Sequence, residues 1–128
     1  MRGLIIKSPW MERILDGEKT WEIRGSTTKI RGKVALIRSG SGKVFGEVSI
    51  IDSKELTLKE YKESRKFHCI ESETSQELPY KRTYAWVMGN PQFYEEPIAY
   101  KHPRGAVIWV NLSKQTKRGE RNEYSNIK

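Results

Sequence analysis

The 128-residue chain has a single cysteine, Cys69, and two histidines, His68 and His102. One cysteine excludes an intramolecular disulfide, so the expected setting is a reducing one and the expected localisation cytoplasmic. Three soft-ligand side chains are also too few for a closed zinc site, which takes four, and no metal or cofactor is expected. Within "FHCI" the adjacent His68 and Cys69 point apart on an extended chain, which suits neither a nucleophile–base pair nor a shared metal; both read as structural. No apolar run approaches the ~18–20 residues of a membrane span, and "MRGLIIKSPW" is too short in its apolar part to read as a signal peptide. Acidic residues are in deficit, 16 against 24 lysines and arginines, giving a formal net charge of +8.

That imbalance favours polyanionic partners, nucleic acid first. Part of it lies in "SKQTKRGERNEYSNIK", which carries five cations and two anions and leaves +5 on residues 1–112. The stretch has no core signal and reads as a flexible basic tail, residues 113–128, behind one domain at 1–112.

The domain reads as α+β. "RGLIIK" (2–7) is a strand bounded by charge. "SPWMERILDG" carries helix punctuation at both ends: Ser8 as N-cap, Pro9 at the first helical position, Gly17 as the left-handed C-terminal residue. Its i,i+4 pairs, Trp10 with Ile14 and Met11 with Leu15, define a buried face. "KTWEIR" (19–24) is a strand, "KVALIRSG" and "KVFGEVSIID" flank "SGSG" as a hairpin, and 57–68 is a second helix capped by Thr57. Residues 69–82 read as a polar loop. "TYAWVMG" (83–89) is a strand with Tyr84, Trp86 and Met88 turned inward; "NPQFYEEPIAYKHPR" is irregular; "GAVIWVNL" (105–112) is the last strand. About six strands and two helices, the first after strand one, suggest a small mixed barrel.

The candidate site begins at "DGEKTWEIRG". Alternation puts Trp21 and Ile23 on the core face of the strand and Glu22 and Arg24 on the other, about 7 Å apart. Lys19 leaves the preceding turn and can lean toward either. A carboxylate between two cations keeps its charge and orients them; the group can grip a phosphate, or Glu22 can accept from an exocyclic amine. On a solvated strand face the same residues are an ordinary ion pair worth ~0–1 kcal/mol. Lys7 and Ser8 at the start of the first helix form a second candidate, with Trp10 as either a base-stacking ring or core. "RSGSGKV" is not a Walker loop, because Gly40 is only two residues before Gly42 and Val44 follows Lys43. The tip still presents Arg38, Ser39 and Lys43 to a nucleic-acid backbone. "YKHPRG" places Lys101, His102 and Arg104 on a proline-bearing loop that is either an RNA contact or a solvated turn.

"GLIIKSPWMERILDGEKTWEIR" resembles the opening of the ASCH family, the activating-signal-cointegrator homology domain. The resemblance rests on Pro9-Trp10, Gly17-Glu18-Lys19 and Glu22-Ile23-Arg24, and continues more weakly through "VFGEVSIIDS", "YAWVM" and "RGAVIWV". It implies a PUA-like β-barrel with a cleft beside the first helix, lined by the Gly-x-Lys-x-x-Glu-x-Arg residues and used for RNA or nucleotide binding. It also implies an enzymatic alternative. One branch deacetylates N4-acetylcytidine with a lysine, a threonine three positions later and a distant glutamate; Lys19 matches the lysine, but Glu22 stands at the threonine position. Another branch is a metal-assisted ribonuclease. The expectation is an RNA- or nucleotide-binding domain, with a hydrolase using Lys19 and Glu22 as the alternative and a module for acidic protein partners as a third reading.

Overall fold

A computed structural model describes residues 1–71 and 77–115. The apolar run "GLII" forms β1 (Arg2–Ile6), which buries Leu4 and Ile6. Helix α1 (Trp10–Leu15) follows and closes on Gly17, whose φ of +87° makes it the left-handed residue the punctuation called for. Its start differs from expectation. Pro9, not Ser8, occupies the cap position, and the Ser8 hydroxyl instead donates to the Glu12 carboxylate at 2.7–2.8 Å. The chain then runs through β2 (Trp21–Arg24), β3 (Gly32–Arg38) and β4 (Lys43–Leu56).

Thr57 and Glu60 form a capping box at the head of α2 (Leu58–Glu63). The single helix expected over 57–68 is two: Ser64 leaves helical geometry, and α3 (Arg65–His68) follows it. Cys69, at φ 60°, terminates α3 and returns its amide to the Arg65 carbonyl at 2.7 Å.

Strand β5 (Thr83–Ala99) runs on through the stretch expected to be irregular. Its partner β4 is long enough to pair with both halves, and register breaks absorb the prolines. Asn90, at φ 52°, and Pro91 fall between the pairs Ser49–Gly89 and Glu47–Gln92, while Pro97 lies in the excess between Gly46–Phe93 and Val44–Ile98. A bulge leaves a residue unpaired, and that is where a residue without an N–H is tolerated. The last strand is correspondingly shorter than expected: β6 covers only Trp109–Asn111, and a 3₁₀ turn (Leu112–Gln115) carries the chain across the expected domain boundary. Of the expected tail, residues 116–128 lie outside the described residues.

The strands form one mixed sheet in the order β2-β5-β4-β3-β1-β6, with β1 parallel to β3 and every other pair antiparallel. The sheet is strongly curved. Trp86 on β5 stacks on Trp109 of β6 at 6.0 Å between ring centres, although three strands separate them in the sheet. A flat sheet would hold those strands roughly 19 Å apart. The main core fills the concave side: Leu4, Ile6, Val34, Leu36, Val48, Ile50, Trp86 and Met88, capped by Met11, Ile14 and Leu15 of α1. The sheet does not close, since β2 and β6 are its two ends. No helix among the described residues is long and apolar enough to cross a membrane.

Gly46 is where β4 approaches both α1 and β5. A Cβ there would overlap the Gln92 carbonyl oxygen and sit 2.8 Å from Leu15 Cδ2. Backbone cannot swing aside as a side-chain tip can, so Gly46→Ala is expected to cost about 1–3 kcal/mol or more. Thermal unfolding of variant and parent would check this; an unchanged Tm would refute the close approach.

Candidate nucleotide site at the open seam of the sheet

The unclosed seam is bridged by a side chain instead of a ladder. Arg24 on β2 donates from a terminal guanidinium nitrogen to the Ile5 carbonyl of β1 at 3.0 Å, and from Nε to Glu22 Oε2 at 2.9 Å. Its guanidinium carbon stands 5.5 Å from the Trp86 ring centre. Glu22 and Arg24 therefore sit on one face of β2, while Trp21 and Ile23 pack into a separate cluster with Leu56, Tyr61 and Ala85. The alternation read from the sequence is present.

Lys19 is held more deeply than a surface strand would hold it, at 1% exposed. Its amide donates to the Arg13 carbonyl at 2.9 Å, completing the turn out of α1. Its ammonium donates to the His68 carbonyl at the end of α3 and lies 4.9 Å from the Trp10 ring centre. Burial lowers the Lys19 pKa from its ordinary 10.5 to about 8, and the Glu22 charge opposes that fall.

His68 is fixed in turn. Nδ1 accepts from the Ile70 amide at 3.0 Å and Nε2 faces the Tyr61 carbonyl at 2.7 Å, so the neutral ring carries its proton on Nε2. Burial pushes its pKa below the usual histidine value. The expectation that His68 is structural fits this placement, with the addition that its carbonyl orients Lys19.

Between β1, α1 and β2 lies a cavity of about 400 Å³. Lys7, Trp10, Lys19, Glu22, Arg24 and Ser39 line it, so six of the residues singled out in the sequence come together. Trp10 is half-buried, packing on the core while also lining the cavity. Other candidates lie elsewhere. Ser8 bonds Glu12; Arg38 reaches the same Glu12 carboxylate at 3.5 Å and covers Phe45 at 4.4 Å. Lys43, Lys101 and Arg104 are exposed and do not line this cavity.

The far wall was not visible in the sequence. It consists of Ile70, Pro79 and Tyr80 from the loop before β5 and Val107 and Ile108 from the approach to β6. Tyr80 is 45% exposed and lies against Gly25, where a Cβ would meet its Cδ1 at 2.9 Å. Val107, expected in a core strand, is 76% exposed. The one available signal was "GAVIWV": five consecutive apolar residues do not alternate, and a strand with one solvated face should. Among the described residues, no group of three His, Cys, Asp or Glu side chains is placed to hold a metal ion.

Comparison with solved structures finds the same fold. An ASCH protein from Zymomonas mobilis is 13% identical, with 77% of this chain and 72% of that chain covered and a TM-score of 0.63. A tyrosine-to-phenylalanine variant of that protein is 12% identical, covering 77% and 74%, at 0.62. A serine-to-alanine variant is 12% identical, covering 89% of each chain, at 0.64. At such identity the likeness shows the PUA-like fold alone. No curated protein matches significantly. The ASCH domain family itself matches residues 4–103, from β1 to the loop before β6. With that match over most of its length, the chain belongs to the ASCH domain family.

Proposed function

We propose that this domain binds RNA by taking one nucleotide into the seam cavity, with the base edge against Lys19 and Glu22. The observation that carries this reading is a buried cationic donor and a carboxylate side by side in a cavity of about 400 Å³, toward the low end of the ~300–1,000 Å³ typical of small-ligand sites. A base with an exocyclic amine next to a carbonyl offers a donor for Glu22 and an acceptor for Lys19, as cytosine does; carboxylates commonly accept from cytosine N4. At 1% exposed, Lys19 is too deep to track a polymer's phosphates. Arg24 and the exposed Lys7 are better placed for that. Tyr80 offers an aromatic face at the mouth.

A second reading, a hydrolase, is favoured by one observation: Lys19 is buried and its pKa falls to about 8. A lysine in that range can serve as a general base near neutrality, with Glu22 as its partner.

Titration of single-stranded RNA and of free cytidine tests the binding reading. Log affinity for RNA is expected to fall against log salt with a slope of roughly −0.7 per phosphate contacted, and cytidine is expected to compete. RNA affinity that stays flat with salt, together with no competition by any nucleoside, would overturn it.

A further inference from the structure

A second hollow, about 550 Å³, opens beside the first. Ile5, Ser39 and Val107 line both, so the two adjoin. We infer that the second hollow receives the adjacent nucleotide of a single-stranded RNA whose first base occupies the seam cavity, so that the domain engages two linked nucleotides. The inference rests on the binding reading above.

One side of the hollow is the tight turn between β3 and β4. Gly40 and Gly42 have φ of +79° and +67°, and a Cβ on either would meet nothing within 4 Å. Backbone and open space therefore face the hollow there, which lets a sugar-phosphate chain approach closely. A braced aromatic pair, Tyr100 and His102, also lines it. His102 Nε2 faces the Ala106 carbonyl at 2.9 Å, which places the ring proton on Nε2. Nδ1 then accepts from the Tyr100 hydroxyl at 2.7 Å, and the two rings meet edge-on at 5.7 Å. Tyr100 is tied across to the turn by its amide, which donates to the Gly42 carbonyl at 3.1 Å.

Neither an acidic side chain nor a lysine or arginine lines this hollow. The exposed cations Lys43, Lys101 and Arg104 lie on the segments beside it, next to Gly42 and on the loop that carries His102. An aromatic wall flanked by cations is an arrangement that holds single strands through base stacking and backbone charge. The basic loop and hairpin tip thus extend the seam cavity instead of forming separate contacts.

The test compares the full chain's affinity for cytidine with that for dinucleotides carrying cytidine at either position. The second nucleotide is expected to improve affinity by roughly 5- to 150-fold, the range for one base stacked on an aromatic ring. Tyr100→Ala is expected to erase most of that gain while cytidine binds as before. Arg104→Glu, at an exposed loop position, should reduce it independently if the tyrosine variant folds poorly. Cytidine binding with no gain from a second nucleotide, or a gain that survives both variants, would overturn this inference and leave the first cavity's role intact. Failure of every nucleoside to bind would overturn the binding reading and this inference with it. Displacement of the dinucleotide by a polyglutamate peptide at equal concentration would make the hollow a general anion contact and would also overturn it.

Discussion

Glu22→Gln is expected to leave nonspecific affinity for single-stranded RNA, measured on strands without cytidine, unchanged or raised, and to lower any hydrolysis by ~10²–10⁴-fold, the share general acid–base catalysis contributes. Glutamine keeps a carbonyl acceptor of the same reach, so cytidine binding should weaken by roughly 5- to 13-fold, the difference between a charged and a neutral acceptor. RNA gains from the loss of one negative charge beside its phosphates. The substitution also acts on Lys19, because the Glu22 charge is what opposes the lowering of its pKa by burial. Without it the amine becomes neutral at a lower pH, and acylation of Lys19 at neutral pH should speed up. A panel of acylated cytidines and short RNAs, with and without divalent metal, checks the outcome on parent and variant together. Turnover by the parent that disappears in Glu22→Gln, with binding retained, would establish the hydrolase and displace the binding module.

Lys19→Ala is expected to abolish cytidine binding and to destabilise the fold by roughly 2–5 kcal/mol, since it empties a buried volume and leaves the His68 carbonyl without its donor. Lys19→Met separates the two effects: it refills the buried volume and should recover the packing share of the stability, though not the His68 hydrogen bond, without recovering binding. The pH dependence has a definite sign. Below about pH 8 the ammonium is charged in both folded and unfolded chains, and the cost of burying it is fully present. Between about 8 and the ordinary value of 10.5 the folded protein has released a proton that the unfolded chain still holds, so stability rises with pH across that window. Denaturant titrations of parent and Lys19→Met through this range should show the rise in the parent alone. Equal slopes in both would mean that Lys19 is not buried as described.

Local physics made much of this protein legible in one dimension. Gly17 after an amphipathic turn, Thr57 as the cap of the second helix, and the glycine-serine turn at 39–42 each depend on neighbours within four residues, and each is where it was read. The split of the Trp21 and Ile23 packing from the Glu22–Arg24 pair follows from the strand's two-residue period. Where such reasoning failed, a distant partner was responsible. Residues 90–99 are extended because β4 offers a continuous edge that outweighs the punctuation of Pro91 and Pro97. Ser8 does not cap α1 because Glu12 competes for its hydroxyl.

The sequence by itself determined the family, the order of the strands along the chain, and which face of β2 would carry charge. These depend on residue types and short spacings. Only the tertiary structure decided that the sheet stays open between its end strands β2 and β6, that Arg24 of β2 reaches across to Ile5 of β1, and that Lys19 is buried against Trp10 with its pKa lowered. Tyr80 and Val107 joined the cavity wall by the same route. The physical reason is curvature. It brings residues 5, 19, 80 and 107 to one seam, and it arises from the twist and bulges of the whole sheet acting together, which no short stretch of the chain encodes.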